Sequence, residues 1–175
     1  WGLRYWDVKG VAVAYVSGGM GALFDFAGND DYECAVMCQG WGYFYGTGLL
    51  YDKRGDDHYN TWHKYGMGGG THQSIGIFID GDGADRYDYP AGGVPTNGGA
   101  EGVGLGYDLG VGFHIDRGPQ KDVYTFAKDK MKWGEVLGIA RFPGLGVFLN
   151  EGGDDEYHVP GQMGAYAFGM VDMPA

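Results

Sequence analysis

The chain has 175 residues, of which 37 are glycine, 44% are hydrophobic and 16% aromatic, and 12 basic against 23 acidic side chains leave a net charge of −11. The apolar content excludes general disorder, and the charge disfavours nucleic acid and anionic membrane surfaces as partners. No run of about 18 apolar residues exists, so no membrane-spanning helix is expected.

One domain over residues 1–175 is the natural expectation for this length, opening at Trp1 as part of a longer chain or assembly. Taken in order, Trp1 to Val16 reads as an incomplete lap of a repeat that becomes clear from Gly19 onward. An acidic or amide position recurs at Asp25, Asp52, Asp80, Asp116 and Asn150. Behind it come Gly28, Gly55, Gly83 and Gly153, with Gly118 one place early, and then Asp30, Asp57, Asp85, Asp122 and Asp155. A tyrosine closes each copy: Tyr32, Tyr59, Tyr87, Tyr124 and Tyr157. Ahead of the acidic position, Gly21, Gly48, Gly76, Gly112 and Gly146 hold one column. Such self-similarity is the mark of a stacked repeat architecture.

The segment entering each turn alternates with period 2, the signature of a strand. In the fourth copy Val111, Phe113 and Ile115 fall on one parity and Gly110, Gly112, His114 and Asp116 on the other. The fold class expected is therefore all-β, a parallel β-helix of about five to six laps of 27–36 residues. The apolar parity (Phe24, Tyr51, Ile79, Ile115, Leu149) is expected to line the core, with glycine columns where backbone approaches another wall or a partner. The inverse, glycine facing a thin interior, stays open.

Laps three and four carry insertions after the tyrosine, at Pro90–Glu101 and Ala127–Glu135. They are expected to protrude side by side from one corner, where functional loops of repeat proteins cluster. Cys34 and Cys38, four apart on one strand face, are expected as two small buried thiols too distant to bridge. Gly164 to Asp172 reads as the start of a further lap.

The turns Gly28-Asn29-Asp30-Asp31-Tyr32, Gly55-Asp56-Asp57-His58-Tyr59 and Gly83-Ala84-Asp85-Arg86-Tyr87 resemble the second half of the nonapeptide repeat of RTX-type secreted proteins. About six residues per lap match; the paired leading glycines are absent and the repeat is too long for that family's roll. The resemblance implies calcium held between laps. Independently, carboxylates stacked about 4.8 Å apart repel by about 3.5 kcal/mol per pair at an effective dielectric of about 20. Relief must come from cations, backbone N–H donors or raised pKa values. The candidate metal ligands are Asp25, Asp30, Asp52, Asp57, Asp80, Asp85, Asp116, Asp122, Asn150 and Asp155, whose oxygens suit calcium. The competing reading makes Asp and Gly simply the preferred residues of a type I turn.

The tyrosine column is expected as an internal aromatic ladder. A basic island in this acidic chain marks Lys128, Lys130, Lys132, Trp133 and Arg141 as a candidate partner or ligand surface. The histidines fall at unrelated lap positions, and no serine elbow or Cys/His pair suggests a nucleophile. The function expected is a non-enzymatic structural or adhesive module, secreted, periplasmic or at the cell surface. It is expected to engage other protein subunits or copies of itself, stiffened by calcium. The alternative is a carbohydrate-active β-helix binding or cleaving an acidic polysaccharide, with Lys130, Lys132 or Arg141 as proton acceptor, an analogy at the level of fold.

Overall fold

A computed structural model describes residues 18–89, 102–126, 135–158, 165–166 and 169–170. These residues form strands and turns, with no helix among them. In chain order β1 (Met20–Phe24), β2 (Asp31–Val36) and β3 (Gly42–Tyr43) precede β4 (Thr47–Tyr51), β5 (His58–Lys64) and β6 (Gly70–Thr71). There follow β7 (Ile75–Ile79), β8 (Arg86–Tyr89), β9 (Gly106–Tyr107), β10 (Val111–Arg117), β11 (Val123–Phe126), β12 (Glu135–Leu137) and β13 (Ala140–Arg141). The last are β14 (Leu145–Glu151), β15 (Glu156–His158), β16 (Ala165–Tyr166) and β17 (Gly169–Met170).

Strands that are neighbours in sequence go to different sheets. Sheet I runs β1-β4-β7-β10-β14, sheet II β2-β5-β8-β11-β15 and sheet III β3-β6-β9-β13-β17, with β12 and β16 as a separate pair. Every pairing is parallel, and in sheet I the register is unbroken: Gly21, Gly48, Gly76, Gly112 and Gly146 lie side by side. The sequence repeat is thus the hydrogen-bonding register itself, each residue pairing with its counterpart one copy on. The pairings of β16 and β17 extend the pattern into the segment read as a further lap.

Sheet I settles the open question of which parity is inside, against the first expectation. Its buried positions are the glycine parity: Gly48, Leu50 and Asp52 in lap two, Gly76, Phe78 and Asp80 in lap three, Gly112, His114 and Asp116 in lap four. The parity of Phe24, Tyr51, Ile79, Ile115 and Leu149 points outward. The physical reason is the narrow approach of sheets I and III. A Cβ on Gly76 would lie 1.8 Å from the Gly69 carbonyl oxygen, and one on Gly70 would lie 2.3 Å from that of Val111. Only glycine fits where the two backbones touch, so its parity has to face inward.

Away from that pinch the interior widens and fills with rings. Tyr32, Tyr59, Tyr87, Tyr124 and Tyr157 of sheet II stack with successive centroids 4.8, 5.2, 4.3 and 5.1 Å apart and planes within 12° of parallel. From sheet I, Phe78, His114 and Phe148 make a second stack at 4.7 and 5.2 Å. The two stacks meet edge to face, as between Tyr59 and Phe78 at 83°, the arrangement the ring quadrupole favours.

The cysteines correct a second expectation. Cys34 and Cys38 are joined as a disulfide with their Cα atoms 6.4 Å apart. The distance expected along a continuous strand does not apply, because β2 ends at Val36 and Met37 turns with φ 56°.

Candidate functional site

The acidic residues of each turn form two lines at the junction of sheets I and II. The first is Asp25, Asp52, Asp80, Asp116 and Asn150; the second is Asp30, Asp57, Asp85, Asp122 and Asp155. Alternation in sheet I sets the inward direction of the first line, two residues beyond Leu23, Leu50, Phe78, His114 and Phe148. Asp52, Asp57, Asp80, Asp85, Asp116 and Asp122 are each at most 2% exposed.

Backbone donors supply much of the relief that stacked carboxylates need. In the second line, each backbone N–H donates to the carboxylate one lap on. Asp30 donates to Asp57 Oδ1 at 2.7 Å, Asp57 to Asp85 Oδ1 at 2.7 Å, Asp85 to Asp122 Oδ1 at 2.7 Å, and Asp122 to Asp155 Oδ1 at 2.9 Å. The first line accepts from the tyrosine ladder: Tyr32 to Asp52 Oδ2 at 2.5 Å, Tyr87 to Asp80 Oδ2 at 3.2 Å, Tyr124 to Asp116 Oδ2 at 2.5 Å. Asn150 replaces a carboxylate with a donor, reaching Asp155 Oδ2 at 2.9 Å and the Tyr157 hydroxyl at 2.7 Å. Asp25 Oδ1 and Asp52 Oδ1 also accept local N–H groups, from Phe26 at 2.6 Å and Arg54 at 3.1 Å, the side-chain-to-backbone bonding that favours Asp at a chain reversal.

Protonation supplies more. Burial, reinforced by the charge of Asp80, pushes Asp85 up to about 9. Burial raises Asp116 to about 8 and Asp57 to about 7, in both cases against hydrogen bonds that favour the ionised form. Asp80 and Asp122 rise to about 6, again chiefly through burial. Burial lowers His114 to about 3, so the ring beside Tyr124 is neutral and offers the acids no counter-charge.

Three groups of carboxylates come close enough to share a cation: Asp25, Asp30 and Asp52; Asp57, Asp80 and Asp85; and Asp85, Asp116 and Asp122, each within 4.8 Å. Asp85 belongs to the last two, so five buried acids make one continuous cluster. Within it Asp85 Oδ2 and Asp116 Oδ1 are buried without a hydrogen-bond partner. Their second oxygens are committed to the Asp57 N–H and the Tyr124 hydroxyl. An all-oxygen donor set with two uncommitted buried atoms fits a hard divalent cation. Asp155 belongs to none of these carboxylate groups.

Lys128, Lys130, Lys132 and Trp133 lie outside the described residues, as does most of both insertions. Arg141 sits in β13 of sheet III, in register with Tyr107 and Met170, and not among the acids. The hydroxyls of the tyrosine ladder reach the turns and donate there to the acids. The sequence reading first placed the apolar face of sheet I inside, taking hydrophobicity as the sign of burial. No family model, curated protein or solved structure matches the chain.

Proposed function

We propose that the chain is a non-enzymatic structural module, a parallel β-helix that engages protein partners outside the cytosol. The observation that carries this reading is the fate of the acidic residues. The groups with the most displaced pKa values, Asp85 and Asp116, are sealed in the interior, where one oxygen of each accepts from the Asp57 N–H and the Tyr124 hydroxyl. A catalytic acid must reach substrate, and these reach only their own neighbours. Three parallel sheets visited in rotation, with registers locked to the repeat, support the β-helix. The Cys34–Cys38 disulfide supports an oxidising compartment: secreted, periplasmic or cell surface.

Calcium is the cation proposed for the buried cluster, held by Asp85, Asp116 and Asp122, with the Asp57–Asp80–Asp85 and Asp25–Asp30–Asp52 groups as further candidates. It would neutralise the carboxylates and tie consecutive laps together. The test has two arms. Calcium is expected to raise the melting temperature over that in chelator; identical transitions would remove the cation from the proposal. Acidic polysaccharides are expected to yield no unsaturated uronate and no binding at about millimolar ligand. Release of uronate would instead establish the carbohydrate-active alternative.

A further inference from the structure

The strongest unassigned feature is the outer face of sheet I. Its columns read Met20, Thr47, Ile75, Val111 and Leu145; Ala22, Leu49, Ile77, Phe113 and Val147; Phe24, Tyr51, Ile79, Ile115 and Leu149. Not one of these positions is charged. Met20 is 70% exposed, Phe24 55%, Leu145 50%, Ile75 42% and Leu149 41%. In an acidic chain of net charge −11, three uncharged columns across five strands depart from the average of the surface.

We propose that this face is a self-association surface, on which sheet I of a second copy packs to form a symmetric dimer. Three observations choose this occupant. The first is area. Five strands about 4.8 Å apart, with three outward residues about 6.8 Å apart on each, cover roughly 24 by 20 Å. That is about 480 Å², as large as the largest apolar patch of a typical monomer, roughly 300–600 Å². Phe26, Tyr45 and Leu109, all exposed at its borders, bring it toward the roughly 800 Å² per partner of a standard interface.

The second observation is charge. A docking site for a basic partner would carry acids; two copies at −11 each repel at long range, so a contact between them must add no further like charge of its own. This face is uncharged over its three central columns, while Arg117 and Glu151 close β10 and β14 on the same outward parity and Lys53 follows β4, a rim of mixed sign. The third is period. The unbroken register places side chains on a lattice set by strand spacing along the stack and by the pleat across it. Rows on such a lattice interdigitate best with a surface of the same two periods, and a second copy has both. Aligned sheets packed about 10 Å apart are a known solution for two such faces.

The inference rests on the structural reading above and names its partner. Sedimentation velocity on the full chain at about 50 μM is expected to show a dimer, strengthened by salt as the net charges are screened. Ile77→Lys, at the centre of the face, is expected to weaken association by at least about 100-fold with an unchanged circular dichroism spectrum, because it sets like charges against each other in an apolar contact. Glu33→Lys, on the outside of β2, is the control and is expected to leave the dimer intact. A wild-type monomer at that concentration, a dimer indifferent to Ile77→Lys, or a monomer that floats with neutral phosphatidylcholine vesicles would overturn the proposal. A monomer that also releases no uronate overturns the dimer alone and leaves the structural reading standing; uronate release overturns that reading itself.

Discussion

The two sides of sheet I invert the usual order of a half-buried strand. Inside lie glycine, a ring or leucine, and an aspartate; outside lie aliphatic and aromatic side chains. Phe78 is fully buried beside Ile77, which points to the surface, and Asp80 is fully buried beside the outward Ile79. The inside is selected for geometry: glycine where backbones touch, rings that stack at the strand spacing, and acids whose oxygens accept from the next lap. The outside carries apolar side chains in unbroken columns. Hydrophobicity alone therefore ranks these residues in the wrong order, and what decides burial is whether a side chain can repeat along the stack with its polar groups satisfied.

The largest test of that contrast strikes the pinch between sheets. Gly76→Ala puts a methyl group 1.8 Å from a backbone oxygen, where no flexible side chain can yield. It is expected to abolish the cooperative thermal transition, a loss beyond about 4 kcal/mol. The same change at Gly18, which faces open space at φ 68°, is expected to cost only its backbone strain. Equal effects at the two sites would break the assignment of the glycine column to a backbone contact.

A finer test compares adjacent residues. Phe78→Ala removes a ring stacked on His114 and edge-on to Tyr59, and is expected to cost about 3–5 kcal/mol in denaturant unfolding. Ile77→Ala, one residue away on the outer face, is expected to cost less than about 1 kcal/mol in the isolated monomer. Under conditions of association its cost rises, since the contact with a second copy is then lost as well. A large monomer penalty at Ile77 would place that side chain in a core.

Much of this architecture is legible in the sequence. The repeat columns are the sheet registers, and the closing tyrosines are the stacked ladder. The alternatives for relieving carboxylate repulsion included two that operate together, N–H donors and raised pKa values. The facing of sheet I was not legible, because its two parities are both rich in non-polar residues. The resolving signal was at hand two places before each acidic residue. Leu23, Leu50, Phe78, His114 and Phe148 are always large, and they share the parity of glycine and aspartate. The disulfide was hidden by the assumption that the strand of Cys34 runs on through Cys38, when a residue with positive φ intervenes. The two uncommitted oxygens, on Asp85 and Asp116, depend on which donors reach which atoms. That is a matter of three-dimensional detail which spacing does not encode.

The smallest expected effect probes the acids through pH. In chelator, Asp57, Asp85 and Asp116 have folded pKa values of about 7, 9 and 8, raised chiefly by burial. Their unfolded values lie near the ordinary carboxylate range. The folded state therefore holds protons that the unfolded chain has released, and stability falls as pH rises wherever that is so. The contribution is complete below about pH 4 and is lost as pH climbs through the folded values, so the melting temperature is expected to drop progressively between about pH 5 and pH 9. Asp85→Asn, which cannot ionise, is expected to flatten the slope. Calcium acts in the opposite sense, since it binds the deprotonated acids, and its stabilising increment is expected to grow over the same interval. A metal-free melting temperature that rises with pH would mean that the buried acids are ionised and compensated in the fold. The contrast between a proton-holding interior and an uncharged outer face would then fail on its interior side.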